Sequence, residues 1–239
     1  MKLSDLLKET GLKPKAKWVL AEGSDTSGMT RSIPIEKILD DCLIAWAMNG
    51  EALRPEQGYP ARLVVPGWEG NMWVKWIRRL EFGDKPYMTR EETSKYTDLL
   101  TDGKARMFTW VMEAKSVVTS PSPEKPILHK GIQQLRGLAW SGKGKIKRVD
   151  VSLDGGKNWR TAQLHAPIMS KSLVRFTLPF EWSGEELLIQ SRAIDETGYV
   201  QPYIQELQKI RGKNSIYHNN SIATWLVSKS GKVDNVRLG

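Results

Sequence analysis

Residues 149–159 read VDVSLDGGKNW. In the first half of this stretch, Val149, Val151 and Leu153 alternate with polar residues, which is the period-2 pattern of a half-exposed β-strand. The Asp-Gly-Gly that follows predicts a turn, and Trp159 begins the return strand. The stretch therefore predicts a β-hairpin and, around it, an antiparallel sheet.

The rest of the second half extends this pattern. Apolar runs at residues 173–178 and 186–193 predict two more strands, and short strands at this spacing are typical of an antiparallel sandwich. Residues 120–126 (SPSPEKP) are poor in regular structure and are interpreted as a linker. We predict an α+β portion at residues 1–115 and an all-β sandwich at residues 116–239.

The first half mixes helix and strand signals. Leucines near the start recur at helical spacing, and Gly11 follows as a stop signal. Ser32 is predicted to cap a second helix that has a proline and a glutamate in its first turn. Residues 18–21 and 74–82 predict strands. These signals together favour an α+β fold for this portion.

The chain is basic, with 36 Lys and Arg against 27 Asp and Glu among its 239 residues. A net charge of +9 suits anionic partners: nucleic acid, acidic proteins, a phosphorylated cofactor or an anionic substrate. The basic residues are spread along the chain and no nucleic-acid motif occurs, so no nucleic-acid partner is predicted. No apolar run reaches the roughly 20 residues needed to span a bilayer, so no membrane insertion is predicted.

Several stretches, in this order, resemble the sulfite oxidase family of molybdopterin enzymes. They are residues 45–53 (AWAMNGEAL), 58–67 (GYPARLVVPG), 74–77 (VKWI), 137–142 (GLAWSG) and the hairpin at 149–159. Narrower stretches resemble the molybdenum subunit of the bacterial sulfur dehydrogenase of the thiosulfate-oxidising (Sox) pathway, a sulfite dehydrogenase-type enzyme. They are residues 56–60 (EQGYP), 89–96 (TREETSKY) and 217–218 (YH).

The resemblance implies a molybdenum-molybdopterin cofactor and five contacts to it. Arg62 and Lys75 match the cofactor-binding arginine and lysine of the family, and cations suit the phosphate of the pterin. Without the motifs around them, both would be interpreted as ordinary strand-edge charges. Asp25 matches an acidic residue that accepts hydrogen bonds from the pterin, although a loop-capping role is an equal alternative. Gln57 stands where many members carry a histidine, and Asn71 matches a small polar contact.

Two more residues match the substrate site of the family. Tyr96 matches an active-site tyrosine near the metal, and its alternative is a half-buried core residue. Arg211 matches an anion-binding arginine, and its alternative is a solvated residue in a basic tail. His218 is expected to have a structural role. By resemblance, the complete enzyme transfers an oxo group to sulfur, on a substrate that includes sulfur bound to a carrier protein, and passes electrons to a c-type cytochrome.

The segment that carries the molybdenum-ligating cysteine in this family would lie upstream of Leu3. Cys42 occupies a position where relatives have an aliphatic residue, so it is predicted to be a small buried hydrophobe and no metal ligand is assigned. Two explanations stay open. The chain is a fragment, which we favour, or it is a subunit that completes its site with another polypeptide.

The resemblance also implies an immunoglobulin-like dimerisation domain at residues 116–239 and a homodimer. Relatives are exported to the periplasm. This chain has no export signal, so it would be cytoplasmic if Met1 is the true start. Two hypotheses of function follow: an oxidoreductase of the sulfite oxidase type, or a non-catalytic dimerisation protein derived from that family.

Overall fold

The structure, a computed structural model, describes residues 1–215 and 217–238 and divides into two compact units, Met1–Trp110 and Val111–Gly239. Both units are mostly β-structure with few helices. Among the described residues, no helix is long and apolar enough to cross a membrane. The proline-rich stretch at 120–126 lies inside the second unit, where it connects two strands that pair with each other. Its interpretation as the linker is wrong.

The first unit is arranged around a three-stranded antiparallel sheet with the order β2-β1-β7, and its other strands form two-residue and three-residue ladders. Its elements are α1 (Leu3–Thr10), β1 (Trp18–Gly23), β2 (Thr30–Pro34), α2 (Ile35–Asp40), β3 (Leu43–Ala45), β4 (Ala47–Met48), β5 (Glu51–Ala52), β6 (Arg62–Val64), β7 (Ile77–Gly83), α3 (Arg90–Lys95), β8 (Thr97–Leu99) and β9 (Ala105–Met107), with short 3₁₀ turns at Pro55–Gln57 and Gly70–Met72.

The predicted first helix is confirmed, and the predicted cap of the second is wrong. Leu3 and Leu7 are buried on one face of α1, and the N–H of Gly11 donates to Leu7 O at 3.0 Å where the helix ends. Ser32 lies in the middle of β2, and α2 begins only after Pro34. Ser32 is part of a strand because its hydroxyl and N–H have a different partner, a carboxylate on α3.

That partner is Glu92, which is fully buried and joins β2 to α3. Its carboxylate accepts hydrogen bonds from the N–H and, at 2.9 Å, the hydroxyl of Ser32. It also accepts from the N–H of Thr89 at 3.1 Å, which completes the capping box of α3. Because Tyr96 is the C-cap of α3, this buried carboxylate fixes where the tyrosine leaves the helix.

The second unit consists of two antiparallel sheets, β10-β11-β15-β14 and β13-β12-β16-β17-β18. Its elements are β10 (Lys115–Ser120), β11 (Gly131–Trp140), β12 (Ile146–Ser152), β13 (Arg160–Thr161), β14 (Gln163–His165), β15 (Val174–Trp182), β16 (Leu187–Asp195), α4 (Ile204–Arg211), β17 (Thr224–Val227) and β18 (Val233–Val236).

Apolar side chains from both sheets form one core in this unit, which includes Val149, Phe176 and Ile189. The predicted hairpin is confirmed, because β12 pairs with β13 across the Asp-Gly-Gly turn. The prediction of a half-exposed strand is wrong, because Asp150 and Ser152 are buried as well. Asp150 is accommodated by hydrogen bonds from the guanidinium of Arg192 at 3.3 Å.

The close approach of β11 to the core gives a first testable prediction. A Cβ placed on Gly137 would lie 2.5 Å from Val117 O and would overlap the ring of the buried Phe176. We expect Gly137→Ala to lower the free energy of unfolding by about 2 kcal/mol, because one neighbour is a backbone carbonyl of the paired strand and the other is a fully buried ring. Urea titration measures the loss. Gly70→Ala, where the new methyl group meets open space, is the control, and an equal loss in both variants would contradict the prediction.

Candidate functional site

A cleft of about 480 Å³ opens in the first unit where β1 ends beside the segment that leads into β7. A Cβ on Gly23 would lie 2.8 Å from Lys75 O and 2.9 Å from the Asp25 carboxylate, so glycine lets these two groups meet. The cleft itself is lined by Ser24, Asp25, Thr26, Pro60, Trp76 and Ile77. Backbone approach at a glycine therefore brings the Asp25 loop against residues 75–77.

Asp25 stabilises its own loop. Its carboxylate accepts hydrogen bonds from the hydroxyl of Ser27 and, at 3.0 Å, from the N–H of Met29. The Ser27 bond and then the Met29 bond lower the pKa of Asp25 against the effect of burial, so the carboxylate is anionic at neutral pH. These contacts agree with the loop-capping alternative for Asp25. The predicted contact between Asp25 and a pterin stays a prediction.

A second glycine brings three predicted residues together. Gly58 has φ +105°, and a Cβ on it would lie 2.9 Å from Lys75 Cβ and 3.2 Å from Arg62 Cβ. The guanidinium of Arg62 donates to Gln57 O at 3.0 Å, and the ammonium of Lys75 donates to Glu56 O at 3.0 Å. Two cations therefore converge on the 3₁₀ turn that ends at Gly58.

Gln57 caps this turn with its side chain. Its Oε1 accepts from the N–H of Arg54 at 3.0 Å, so the amide oxygen already has a partner. Gln57 therefore positions the turn on which Arg62 and Lys75 converge, and its predicted contact to the cofactor stays a prediction.

Two tryptophans support these cations, and sequence reasoning missed them. The guanidinium of Arg62 lies 5.7 Å from the ring centroid of Trp73, and the ammonium of Lys75 lies 4.2 Å from that of Trp76. Trp76 has the unusual φ of +49°, and its Nε1 donates to Pro55 O at 2.9 Å. The indoles hold the cationic side chains in place. The Val-Lys-Trp motif was the local signal for Trp76, and no pattern pointed to Trp73.

Asn71 and Tyr96 lie in a neighbouring part of the first unit. Asn71 Nδ2 donates to the Glu69 carboxylate at 3.1 Å. Tyr96 is half-buried, and the guanidinium of Arg31 lies 4.3 Å from its ring centroid. The two places are connected through residues 72–73, because Met72 Sδ accepts from Arg31 Nε at 3.0 Å and Trp73 O accepts from Arg62 at 3.0 Å. No sequence pattern pointed to Arg31.

Buried polar atoms without partners mark this region as suited to a polar ligand. Arg62 Nε and Asn71 Oδ1 are buried, and among the described residues neither has a hydrogen-bond partner. Burial also lowers the pKa of Arg62, which indicates that its charge is partly removed from water. A phosphorylated pterin offers both acceptors and donors, so the residues present fit such a group.

Arg211 lies in the second unit at the end of α4 and is buried, so its alternative as a solvated residue in a basic tail is wrong. Its guanidinium lies 3.4 Å from the carboxylate of Glu113, which also accepts from Tyr199 OH at 3.2 Å. His218 Nε2 lies 3.2 Å from the same carboxylate oxygen. Glu113 is thus the centre of a buried polar cluster that sequence reasoning missed.

The protonation state of Glu113 follows from these neighbours. Burial by itself would raise its pKa, but the His218 contact and the charges of Arg211 and Lys143 outweigh burial and lower the pKa to about 2. Lys143 Nζ lies 3.6 Å from the carboxylate. Glu113 is therefore anionic at neutral pH and compensates the buried charge of Arg211.

Within the described ranges, no three His, Cys, Asp or Glu side chains are grouped so that they could hold a metal ion. Cys42 is buried, in agreement with its prediction as a small hydrophobe.

Comparisons with known proteins agree with both units. The family model described as "Oxidoreductase molybdopterin binding domain" matches residues 1–91, and "Mo-co oxidoreductase dimerisation domain" matches residues 106–225. Mitochondrial sulfite oxidase of Drosophila melanogaster is 31% identical over an alignment of 240 positions, gaps included, that covers 88% of this chain. Sulfite oxidase of Gallus gallus is 35% identical over an alignment of 188 positions, gaps included, that covers 72% of this chain. The chain spans 42% and 40% of the length of these two proteins.

A solved structure is more similar. The crystal structure of the sulfane dehydrogenase SoxCD from Paracoccus pantotrophus is 61% identical in sequence and superposes with a TM-score of 0.96. The match covers all of this chain and 62% of that one. With both family models and these relatives in agreement, the chain belongs to the sulfite oxidase family of molybdopterin oxidoreductases.

Proposed function

We propose that this chain is part of a molybdenum-dependent oxidoreductase that acts on sulfur compounds. The observation that carries the proposal is the convergence of Arg62 and Lys75 on the turn at Gly58, beside the cleft that Asp25 lines. The resemblance to sulfite oxidases and to the sulfane dehydrogenase SoxCD supports the sulfur chemistry. A molybdenum-molybdopterin cofactor, when bound, supplies two-electron oxo transfer.

The residues of this chain would hold that cofactor through charge and hydrogen bonding. Lys75 and Arg62 would bind the anionic part of the pterin, since their cations have only neutral partners among the described residues. Asn71 Oδ1 would accept from a pterin N–H, since it is buried without a donor among the described residues. Asp25 and Gln57 would shape the cleft and the turn.

We also propose roles for the two predicted substrate residues. Tyr96 would donate a hydrogen bond from its phenol to an oxygen of the sulfur substrate. Arg211 would attract the anionic substrate, with a charge that Glu113 partly compensates in the second unit. These roles rest on the resemblance to the sulfite oxidase family.

The wider assembly is part of the same proposal. The match to a dimerisation domain supports a homodimer, formed through an immunoglobulin-like sandwich in the second unit. The likeness to the sulfane dehydrogenase SoxCD suggests a c-type cytochrome as electron acceptor. A carrier protein with bound sulfur as substrate and a periplasmic location are part of the proposal only through the resemblance to the Sox sulfur dehydrogenase described from the sequence.

The cofactor contact is tested by removing one cation at a time. We expect Lys75→Met and Arg62→Met each to lower the molybdenum content per chain at least tenfold in protein purified from a host that makes the cofactor. Metal analysis and the fluorescence of the released pterin measure this. Lys8→Met, which removes an exposed cation on α1, is the control and should retain full content. Unchanged content in both test variants would refute the proposal and favour a non-catalytic dimerisation protein.

A further inference from the structure

Arg31 in β2 is a fully buried arginine whose cation is not paired in the usual way. Its Nε donates to Met72 Sδ, and sulfur is a weak acceptor. Its two terminal nitrogens are buried and have no hydrogen-bond partner among the residues that the structure describes. Nearby carboxylates favour the charged form, but none of those described lies within 4 Å of the guanidinium, so a closer contact is needed to stabilise this buried cation.

The ring of Tyr96 is the aromatic group beside it. At 4.3 Å from the ring centroid, the guanidinium lies within the range of a desolvated cation–π contact. Burial lowers the pKa of Arg31, and the nearby charge of Glu92 and the phenol of Tyr96 oppose that change. Because such effects are reciprocal, the cation must also favour the negative form of the phenol.

We propose that Arg31 is a positioning residue, which orients the ring of Tyr96 and makes its hydroxyl a stronger hydrogen-bond donor to an oxyanion. This inference rests on the role proposed for Tyr96 above. A phenol donates more strongly when a neighbouring positive charge stabilises the electron density left on its oxygen. The stack also favours one orientation of the Tyr96 ring at the end of α3.

Other charged groups surround the pair. Those on α3 and on the segment at 69–72 are Glu69, Glu91, Glu92 and Lys95. The negative charges of these carboxylates act on the phenol of Tyr96 in the direction opposite to Arg31. Removal of the Arg31 charge should therefore leave the carboxylates as the main charges near the phenol. Ser32 and Thr89 donate hydrogen bonds to Glu92, so the Glu92 carboxylate should keep its position when Arg31 is changed conservatively.

The titration of the phenol tests the proposal without any assay of sulfur oxidation. The full chain is labelled with ζ-¹³C tyrosine, and the Tyr96 signal is assigned by its loss in Tyr96→Phe. We expect the pKa of Tyr96 to rise by about one unit in Arg31→Met, and to rise less in Arg31→Lys, which retains the charge. Tyr87, on a neighbouring segment, is the internal control and should titrate as before.

An unchanged Tyr96 pKa in Arg31→Met, or equal rises in the Met and Lys variants, would overturn the proposal. If both variants fail to fold, the contact is measured on Arg31 in place of Tyr96. The Nε–H proton of Arg31 should lie upfield through the ring current of Tyr96 and return downfield in Tyr96→Leu, and no change there would also overturn it. Loss of cofactor in Lys75→Met tests the proposed function separately, so the two failures are distinguishable.

Discussion

Glu113→Gln is expected to lower the free energy of unfolding by about 3 kcal/mol at pH 7. The pKa of Glu113 is 4.5 in its ordinary environment and about 2 in the folded chain, and each unit of that difference corresponds to about 1.4 kcal/mol. The glutamine retains the shape but leaves the buried cation of Arg211 without its counter-charge. Urea titration at pH 7 measures the difference.

The stabilisation that Glu113 contributes depends on pH, and the direction follows from its lowered pKa. Because the folded-state pKa is depressed, the contribution of Glu113 is fully present above about pH 4.5 and is lost as the pH falls towards 2. The stability difference between the native chain and Glu113→Gln should therefore shrink across that window. Glu206→Gln is the matched control, since Glu206 forms an exposed ion pair with Lys209 at 2.7 Å and should contribute under 1 kcal/mol. Equal losses in the two variants at pH 7 would contradict the interpretation.

Gly58→Ala is expected to reduce bound molybdenum at least tenfold, with a loss of about 2 kcal/mol in stability. The added methyl group would lie 2.9 Å from Lys75 Cβ and 3.1 Å from Lys75 Cα, so the turn must move away from both cations. The positive φ of +105° adds backbone strain. Metal analysis after expression in a cofactor-competent host measures the first effect and urea titration the second.

A control variant separates steric contact with Lys75 from backbone strain as the cause of the lost molybdenum. Gly103 also has a positive φ, +81°, but a Cβ there would meet nothing within 4 Å, and it lies outside the Asp25 loop. Gly103→Ala should therefore show the strain and retain the cofactor. If the two alanine variants retain the same amount of molybdenum, steric separation of Arg62 and Lys75 is not what the glycine prevents.

The sequence predicted correctly those elements whose formation depends on residues adjacent in the chain. The alternation at 149–153 and the turn after it predicted β12 and β13, because strand pairing across a short turn depends on adjacent residues. The same pattern predicted the wrong exposure for Asp150, because a residue's burial depends on what covers the second face of its sheet. The serine–proline run at 120–126 was misinterpreted for a related reason. It connects strands inside one unit, and the pairing of those strands is not a local property.

The residues of the candidate site that the sequence predicted also differ from those it missed in how local their signals are. Arg62 and Lys75 were found through the motifs that flank them, and both lie at the glycine turn. Arg31 and Glu113 were missed because their partners are distant in sequence. The Glu113 carboxylate meets Arg211 across 98 residues, and no periodicity extends over such a separation.

The neutral partners of Arg62 and Lys75 have a consequence for kinetics. Both side chains are held by backbone carbonyls and indole faces, and in the part of the chain that the structure describes neither has a carboxylate within 4 Å. Their positive potential therefore reaches into the solvent, where it steers anions towards the cleft before contact. Capture of an anionic molecule there should be fast in dilute buffer and slow down as ionic strength rises, since added salt shortens the range of that attraction.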